Sequence, residues 1–340
     1  MSRKSSIIAL ARPAKLLCCG FAVTSLLLLI LPATRGAQPE SFSVASIKEK
    51  FELGQYQEVI ALLEAARAQE PQNSSVAFWL MRCYYELDRV DEAVSYGEQA
   101  VKSEPSSSDY HLWLGRAYGR TAEKRQSFSF ARKTRAEFET AVELNPSNLP
   151  ARRDLMEFYL EAPWILGGGK DKGWNQAEAI AALDPVEGSL ARGFYWRHLG
   201  KPDSAEAEYA RVLELKPHRV EPYFELADYY LSRPDGSRLD AAIESAARVD
   251  AQDCRLDYYR GVSAFLARKD LGNAERHLRA YLGKASQRRD FPSRASAHVW
   301  LGRVYEEQAQ PRLSAEQYKA ALELEPGRRD AREGLRRIGQ

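Results

Sequence analysis

Three hexapeptides constrain this chain more than anything else in it: AVELNP at 141–146, VLELKP at 212–217 and ALELEP at 321–326. In each, apolar residues recur at a spacing that puts them on one helical face. The proline then stops the helix, because it brings no N–H donor and its ring clashes with the preceding turn. The hexapeptide reads as one helix end used three times. Pro71, Pro105, Pro146, Pro185, Pro217 and Pro326 close six units in this way, and the first two of these prolines stand 34 positions apart (105 against 71). A unit that short buries its apolar face only against its neighbours, so the chain is expected to stack its units into an array.

The residues between the prolines agree with that reading. HLWLGRAYG at 111–119, PYFELADYY at 222–230 and AHVWLGRVY at 297–305 each supply an apolar residue, a small residue and an aromatic at helical spacing. Second helices follow with small or apolar residues at Val59, Leu63 and Ala66, at Ala93, Gly97 and Ala100, and at Ala205, Tyr209 and Val212. With the 34-residue period, these segments resemble the tetratricopeptide repeat (TPR) family. Two further units, around Leu226 and Tyr258, keep the pattern without the closing proline. The resemblance implies an all-α fold, an α-solenoid of about eight helix-turn-helix units over residues 42–326. A charged last segment, 327–340, is expected to cap it.

Residues 1–37 stand apart. Arg3, Lys4, Arg12, Lys15 and Arg35 are their only charged residues, and an apolar run from Leu16 to Ala33 follows the first four. This pattern reads as an export signal or, because the run is nearly bilayer-long, as an uncleaved anchor. The excess of positive charge ahead of the run places the body outside the cytosol either way, periplasmic or secreted if the signal is removed and membrane-anchored if it is not. The whole chain carries 49 basic and 47 acidic residues; without the first five basic ones the balance is 44 against 47. That near-neutral body excludes a bulk nucleic-acid binder, which needs a sustained basic excess. Cys83 and Cys254, in the second and seventh units, lie too far apart in an open array to form a disulfide, so no disulfide framework is expected.

Two units depart from the period. The third has seven extra residues between Tyr118 and Pro146, enough for about one more turn in each of its helices. The fourth has five more, in EAPWILGGGKDKGW at 161–174, where Trp164, Ile165 and Leu166 are expected to fold back over neighbouring helix ends. Both features are similar to those of uncharacterised secreted bacterial TPR proteins, a resemblance that supplies no function. The glycine run is not a phosphate loop. Trp164 stands where the first glycine should be, and Asp171 follows Lys170 where Ser or Thr is required. The five histidines show no metal-ligand spacing and the two body cysteines no CxxC partner. No catalytic residue, metal site or cofactor is expected.

What remains is a surface for binding. In the TPR family the first helices line a groove, and the resemblance places Phe78, Arg82 and Tyr85 in it, then Leu112, Arg116 and Arg120, then Arg153 and Glu157. Farther along it places Phe194, Arg197, Phe224, Asp228, Val299 and Arg303. Arg and Tyr are favoured contact residues, and a guanidinium grips a carboxylate through two hydrogen bonds. Between Arg116 and Arg135 the chain also carries Arg120, Lys124, Arg125, Arg132 and Lys133 against the single acid Glu123. Phe128 and Phe130 lie near the tip of the same hairpin. The candidate partner site is therefore Arg82, Tyr85, Arg116, Arg120, Lys124, Arg125, Arg132 and Arg153. Its expected partner is a protein or peptide, acidic in character, and no nucleic acid. The chain reads as an exported, non-enzymatic scaffold in the cell envelope; the alternative is an accessory subunit of a machine that makes or exports an envelope polymer.

Overall fold

A computed structural model describes residues 43–340 apart from 232, 234, 235, 269, 286, 287 and 289. The expected signal or anchor over 1–37 lies outside the described residues. All regular structure among the described residues is helical. The helices follow in pairs: α1 (Val44–Glu52) with α2 (Tyr56–Gln69), α3 (Ser74–Glu86) with α4 (Val90–Ser103), α5 (Ser108–Arg125) with α6 (Phe128–Leu144), and α7 (Leu149–Glu161) with α8 (Lys170–Leu183). Then come α9 (Pro185–His198) with α10 (Pro202–Leu215), α11 (Glu221–Leu231) with α12 (Gly236–Val249), α13 (Arg255–Leu266) with α14 (Leu271–Lys284), and α15 (Arg294–Glu307) with α16 (Pro311–Leu324). A last helix, α17 (Arg329–Arg337), follows the eighth pair, and a short 3-10 turn, Trp164–Leu166, interrupts the fourth.

The prolines act where elementary sterics say they should. A residue before proline is pushed out of the helical region. Glu70, Glu104, Asn145 and Glu325 accordingly leave their helices with ψ of 77°, 76°, 93° and 85°. Two residues after each of three prolines, a short polar side chain caps the next helix: Asn73, Ser107 and Asn148 accept from the backbone N–H groups of Val76, Tyr110 and Ala151. Pro185 behaves differently from its counterparts. It does not precede a loop but occupies the first position of α9, with Asp184 accepting from the N–H groups of both Val186 and Glu187. Helices α8 and α9 are thus joined by one residue. The contact tolerates no side chain at Gly188, where an added Cβ would stand 2.4 Å from the Cα of Ala181.

Within pairs, one small residue faces one large one. A Cβ added to Gly115, Gly193 or Gly302 would meet the rings of Phe138, Tyr209 or Tyr318 at 2.6–2.7 Å. In the second pair the roles are exchanged, with Met81 on α3 filling the space beside Gly97 on α4. The core is a string of such clusters along the stack, one around Trp79 in the first two pairs and the largest running from Leu190 to Tyr305. First helices of successive pairs also touch each other, α3 with α5, α5 with α7, and so on to α13 with α15. The stack therefore curves with its first helices on the inner side. No helix among the described residues is long and apolar enough to cross a membrane.

Candidate groove on the inner face

Much of the inner face is filled by the protein's own side chains. Arg153 on α7 pairs with Glu157 on its own helix at 3.4 Å, with Glu187 on α9 at 3.6 Å and with Glu225 on α11. Arg219 adds bonds to Asp184 and Glu187 at 3.2 and 2.8 Å. Farther along, Arg255 is buried over the rings of Phe224 and Phe291, 4.3 and 4.8 Å away, and pairs with Asp253 at 2.6 Å. Toward the N-terminal pairs the face opens into two adjoining clefts of about 440 and 560 Å³ that share Tyr85, Arg116 and Arg120. The first is walled by Phe138, Phe158 and Leu166, the second by Phe51, Arg82 and Trp113. Arg288 and Asp290, between α14 and α15, also line the second cleft, so the array curls far enough to bring its seventh turn beside its first pairs.

The eight sequence-derived residues do not form one free basic surface. Arg82 lies among aromatic rings, with its guanidinium carbon 4.4 Å from the Phe51 centroid and 4.5 Å from those of Trp79 and Trp113. Its Nε is buried without a hydrogen-bond partner, and among the described residues it makes no ion pair. Burial pushes its pKa down to about 10, against the opposing pull of Glu86. Tyr85 meets Trp113 edge-on at 5.6 Å and carries Arg120 over its ring. Arg116 grips Asp154 through two bonds of 2.5 and 3.2 Å. Lys124 pairs with Asp88 at 2.5 Å, Arg125 with Asp91, and Lys133 with Glu98 at 3.5 Å. Arg132 is exposed and makes no ion pair among the described residues. The basic residues that crowd the chain between Arg116 and Arg135 do not make one free charge in space, because acids of the preceding hairpin lie against Lys124, Arg125 and Lys133. Arg153 belongs to the three-carboxylate network.

Several expected positions move. Leu112, Phe224 and Val299 are buried in the packing between helices, Leu112 with 2 % of its surface exposed, and do not point into the groove. The open face of α5 carries Trp113, Arg116 and Arg120, which share a side at spacings of three and four; Leu112 lies about 100° farther round. Trp113 was therefore one position from the expected register. Phe51, Arg288 and Asp290 carried no signal, since they lie outside the repeated motif. Of the three apolar insertion residues only Leu166 folds back, at 5 % exposure; Trp164 and Ile165 stand out at 86 % and 56 %. Gly167 takes the left-handed conformation, φ +91°, while a Cβ on Gly168 would strike the carbonyl oxygen of Ala162, so the glycine run shapes a tight turn. At the tip of the third hairpin Phe130 packs on Tyr118, 5.8 Å between centroids, and Phe128 is exposed.

The remaining reactive groups have structural partners. His111 bonds Glu137 and the carbonyl of Pro105, His277 bonds Asp257, and His298 bonds Gln317. Both described thiols are free, and burial pushes that of Cys83 up to about 12. Among the described residues no group of three or more His, Cys, Asp or Glu side chains is placed to hold a metal ion.

Stacked helical pairs with an inner groove define a helical repeat solenoid. Tetratricopeptide repeat models match residues 50–117, 197–253 and 295–328. The chain is a tetratricopeptide repeat protein, and arrays of this kind are generally non-catalytic scaffolds that bind proteins or peptides. No curated protein matches it in sequence. The APC/C hetero-tetramer Cut9–Hcn1 superposes with a TM-score of 0.50 at 16 % identity, over 87 % of this chain and 55 % of that one. The likeness is one of fold, and this chain spans about half the other's length. A TPR protein from Parabacteroides merdae aligns over 79 % of this chain and all of its own at 15 % identity, TM-score 0.48. A thermophilic TPR protein from Thermus thermophilus aligns over 50 % of this chain and 88 % of its own at 23 % identity, TM-score 0.43.

Proposed function

We propose that this protein is an exported, non-catalytic scaffold of the cell envelope that holds a segment of a partner polypeptide in the groove of its second to fourth helical pairs. The observation that carries the reading is the contrast along the inner face. The Arg153 and Arg255 networks fill the middle and later pairs, whereas the two clefts around Tyr85, Arg116 and Arg120 stay open and carry aromatic and guanidinium groups of the kind that anchor interfaces. Export rests on the basic residues and apolar run of residues 1–37. The partner is a protein or peptide, because a groove of this length and mixed polarity suits an extended chain.

The test is photo-crosslinking in intact cells from benzoylphenylalanine placed at Tyr85, with the same group at the exposed Arg312 of α16 as control. A defined product from position 85 in the envelope fraction, absent from position 312, supports the reading. Equal products from both positions, or none from position 85, rule it out.

A further inference from the structure

The turn inside the fourth pair holds apolar side chains out in water. Trp164 and Ile165 are 86 % and 56 % exposed, yet the backbone that carries them is tied down on both sides. Leu166 is buried beneath them and its carbonyl accepts from Arg135 of α6 at 3.0 Å, while the Gly167 carbonyl accepts from Lys172 at 3.1 Å. Gly169 closes the turn by donating to the carbonyl of Tyr159 at 2.8 Å. The neighbouring turn, inside the third pair, presents Phe128 at 63 % exposure. Phe128, Arg132 and Arg135 share one side of α6 at spacings of four and three, so the side that meets the Trp164 turn through Arg135 also carries Phe128, about 10 Å away along the axis. The two turns make one apolar edge. Single exposed apolar residues need no explanation, whereas a cluster held on a preorganised backbone marks an interaction surface.

The charges around this edge limit what can cover it. Arg132, Lys170, Glu161 and Asp171 are all exposed there and make no ion pair among the described residues, two cations against two acids. An anionic lipid surface or an acidic partner would gain from the cations and lose against the acids. A second copy of the same edge escapes that conflict, because a two-fold contact sets the patch against itself turned round and each copy brings both signs. The apolar area agrees with such a contact. At these exposures Trp164, Ile165 and Phe128 offer roughly 400 Å² per copy, about half of the ~800 Å² that each partner gives to a standard interface. We propose that this protein self-associates through the turns of its third and fourth pairs, with Trp164 and Ile165 packing about a two-fold axis against Phe128 and their own counterparts in the other copy. The shortfall in area makes the dimer a weak one, with a dissociation constant on the order of 10 µM.

The test co-expresses two full-length copies with different tags, each carrying benzoylphenylalanine at Ile165, and irradiates intact cells; the same group at the exposed Arg312 of α16 is the control. A crosslinked product bearing both tags is expected from position 165 and not from position 312. Trp164→Ser should cut its yield about tenfold and Phe128→Ser severalfold. Both side chains are exposed, so the monomer keeps its fold in either variant, and circular dichroism verifies this. Arg132→Glu together with Lys170→Glu makes all four charges acidic and should remove the product, since two like-charged edges then face each other. Absence of a doubly tagged product from position 165 overturns the proposal, as does a product that either serine variant leaves unchanged. A crosslink to a different protein in place of the doubly tagged product would assign the edge to a partner, and labelled phospholipid in its place would assign the edge to a membrane; each of these overturns self-association. The crosslink from position 85 reports on the groove, so the two readings fail separately.

Discussion

Tyr118 on α5 donates its hydroxyl to Glu98 on α4 at 2.6 Å, and twenty residues again separate Tyr159 on α7 from Glu139 on α6, bonded at 2.8 Å. Tyr230 to Glu206 at 2.9 Å and Tyr305 to Glu275 at 2.8 Å repeat the arrangement farther along. In every case the tyrosine stands on the first helix of a pair and the carboxylate on the second helix of the pair before it. The ring is buried and the hydroxyl reaches the rim. Burial, then the neighbouring carboxylate, raise the Tyr118 and Tyr159 phenols well above their usual range, so they stay neutral and donating. The seams between units are thus held by a directional bond as well as by packing.

Removing one such bond should loosen one seam. Tyr159→Phe keeps the ring and deletes the donor, and it is expected to cost about 1 kcal/mol, the usual net worth of a hydrogen bond whose acceptor can still find water. Urea denaturation of the variant beside the parent measures it. A change below a few tenths would mean that Glu139 is served equally well by Arg135, which lies 3.6 Å away.

The turn inside most of the pairs makes a second, backbone-level prediction. Gly54, Asp88, Gln126, Gly200, Arg268 and Ala309 all adopt positive φ between their two helices, although only two of them are glycine. Ala309 holds φ 55°, a conformation that costs an L-residue about 1–2 kcal/mol. Ala309→Gly should therefore raise stability, and Gly200→Ala, at φ 67° with nothing within 4 Å of an added Cβ, should lower it through the backbone alone. Opposite shifts in thermal midpoint are expected; shifts of the same sign would remove the backbone explanation.

Helix ends were legible in this sequence because proline sterics are local: ψ at Glu70, Glu104, Asn145 and Glu325 follows from the next residue and needs no tertiary knowledge. Pro185 shows the limit of that argument. The same residue type can follow one helix or begin another, and here the choice goes with the close contact of Gly188 on Ala181, which no local pattern announces. The groove was legible as a list of side chains but not as a charge. Asp154 lies 38 residues from Arg116 and Glu225 lies 72 from Arg153, and these distant acids decide which cations are spoken for. Trp164 and Ile165 looked like core material because they are apolar, yet the turn set by Gly167 and Gly168 turns only Leu166 inward.

Glu157, on the wall of the first cleft, gives a pH prediction. Burial raises its carboxyl pKa above the usual range, and Arg153 only partly opposes the shift. A carboxyl whose folded pKa exceeds its unfolded value lowers stability once pH rises past the unfolded pKa, about 4.3, and the full penalty is present above the folded pKa. Glu157→Gln should thus be more stable than the parent at pH 7 and indistinguishable from it near pH 4. Denaturant midpoints at the two pH values measure this. A variant less stable at pH 7 would show that the pair with Arg153 outweighs the cost of burial.

The C-terminal helix makes the last prediction. α17 lays Ala331 and Gly334 on the eighth pair so closely that a Cβ on Gly334 would stand 2.3 Å from the ring of Tyr318. Arg337 adds a fork to Glu306 at 2.8 and 3.0 Å and a bond to the Tyr318 hydroxyl at 3.2 Å. The outward side carries Arg329, Arg332, Arg336 and Glu333, so one face covers apolar surface and the other meets water. Ending the chain at Pro326 should uncover the fully buried Tyr318 and Ala321, lowering both the thermal midpoint and the solubility. Uncovering one large side chain corresponds to about 1.5–3 kcal/mol. Two point variants separate packing from charge. Gly334→Val pushes α17 off Tyr318 and should reproduce much of the loss, whereas Arg337→Ala removes a half-exposed ion pair and should cost no more than about 1 kcal/mol. Thermal unfolding and concentration-dependent light scattering of all four proteins decide it: an unchanged midpoint and solubility in the truncated chain would mean that α17 covers nothing the array needs.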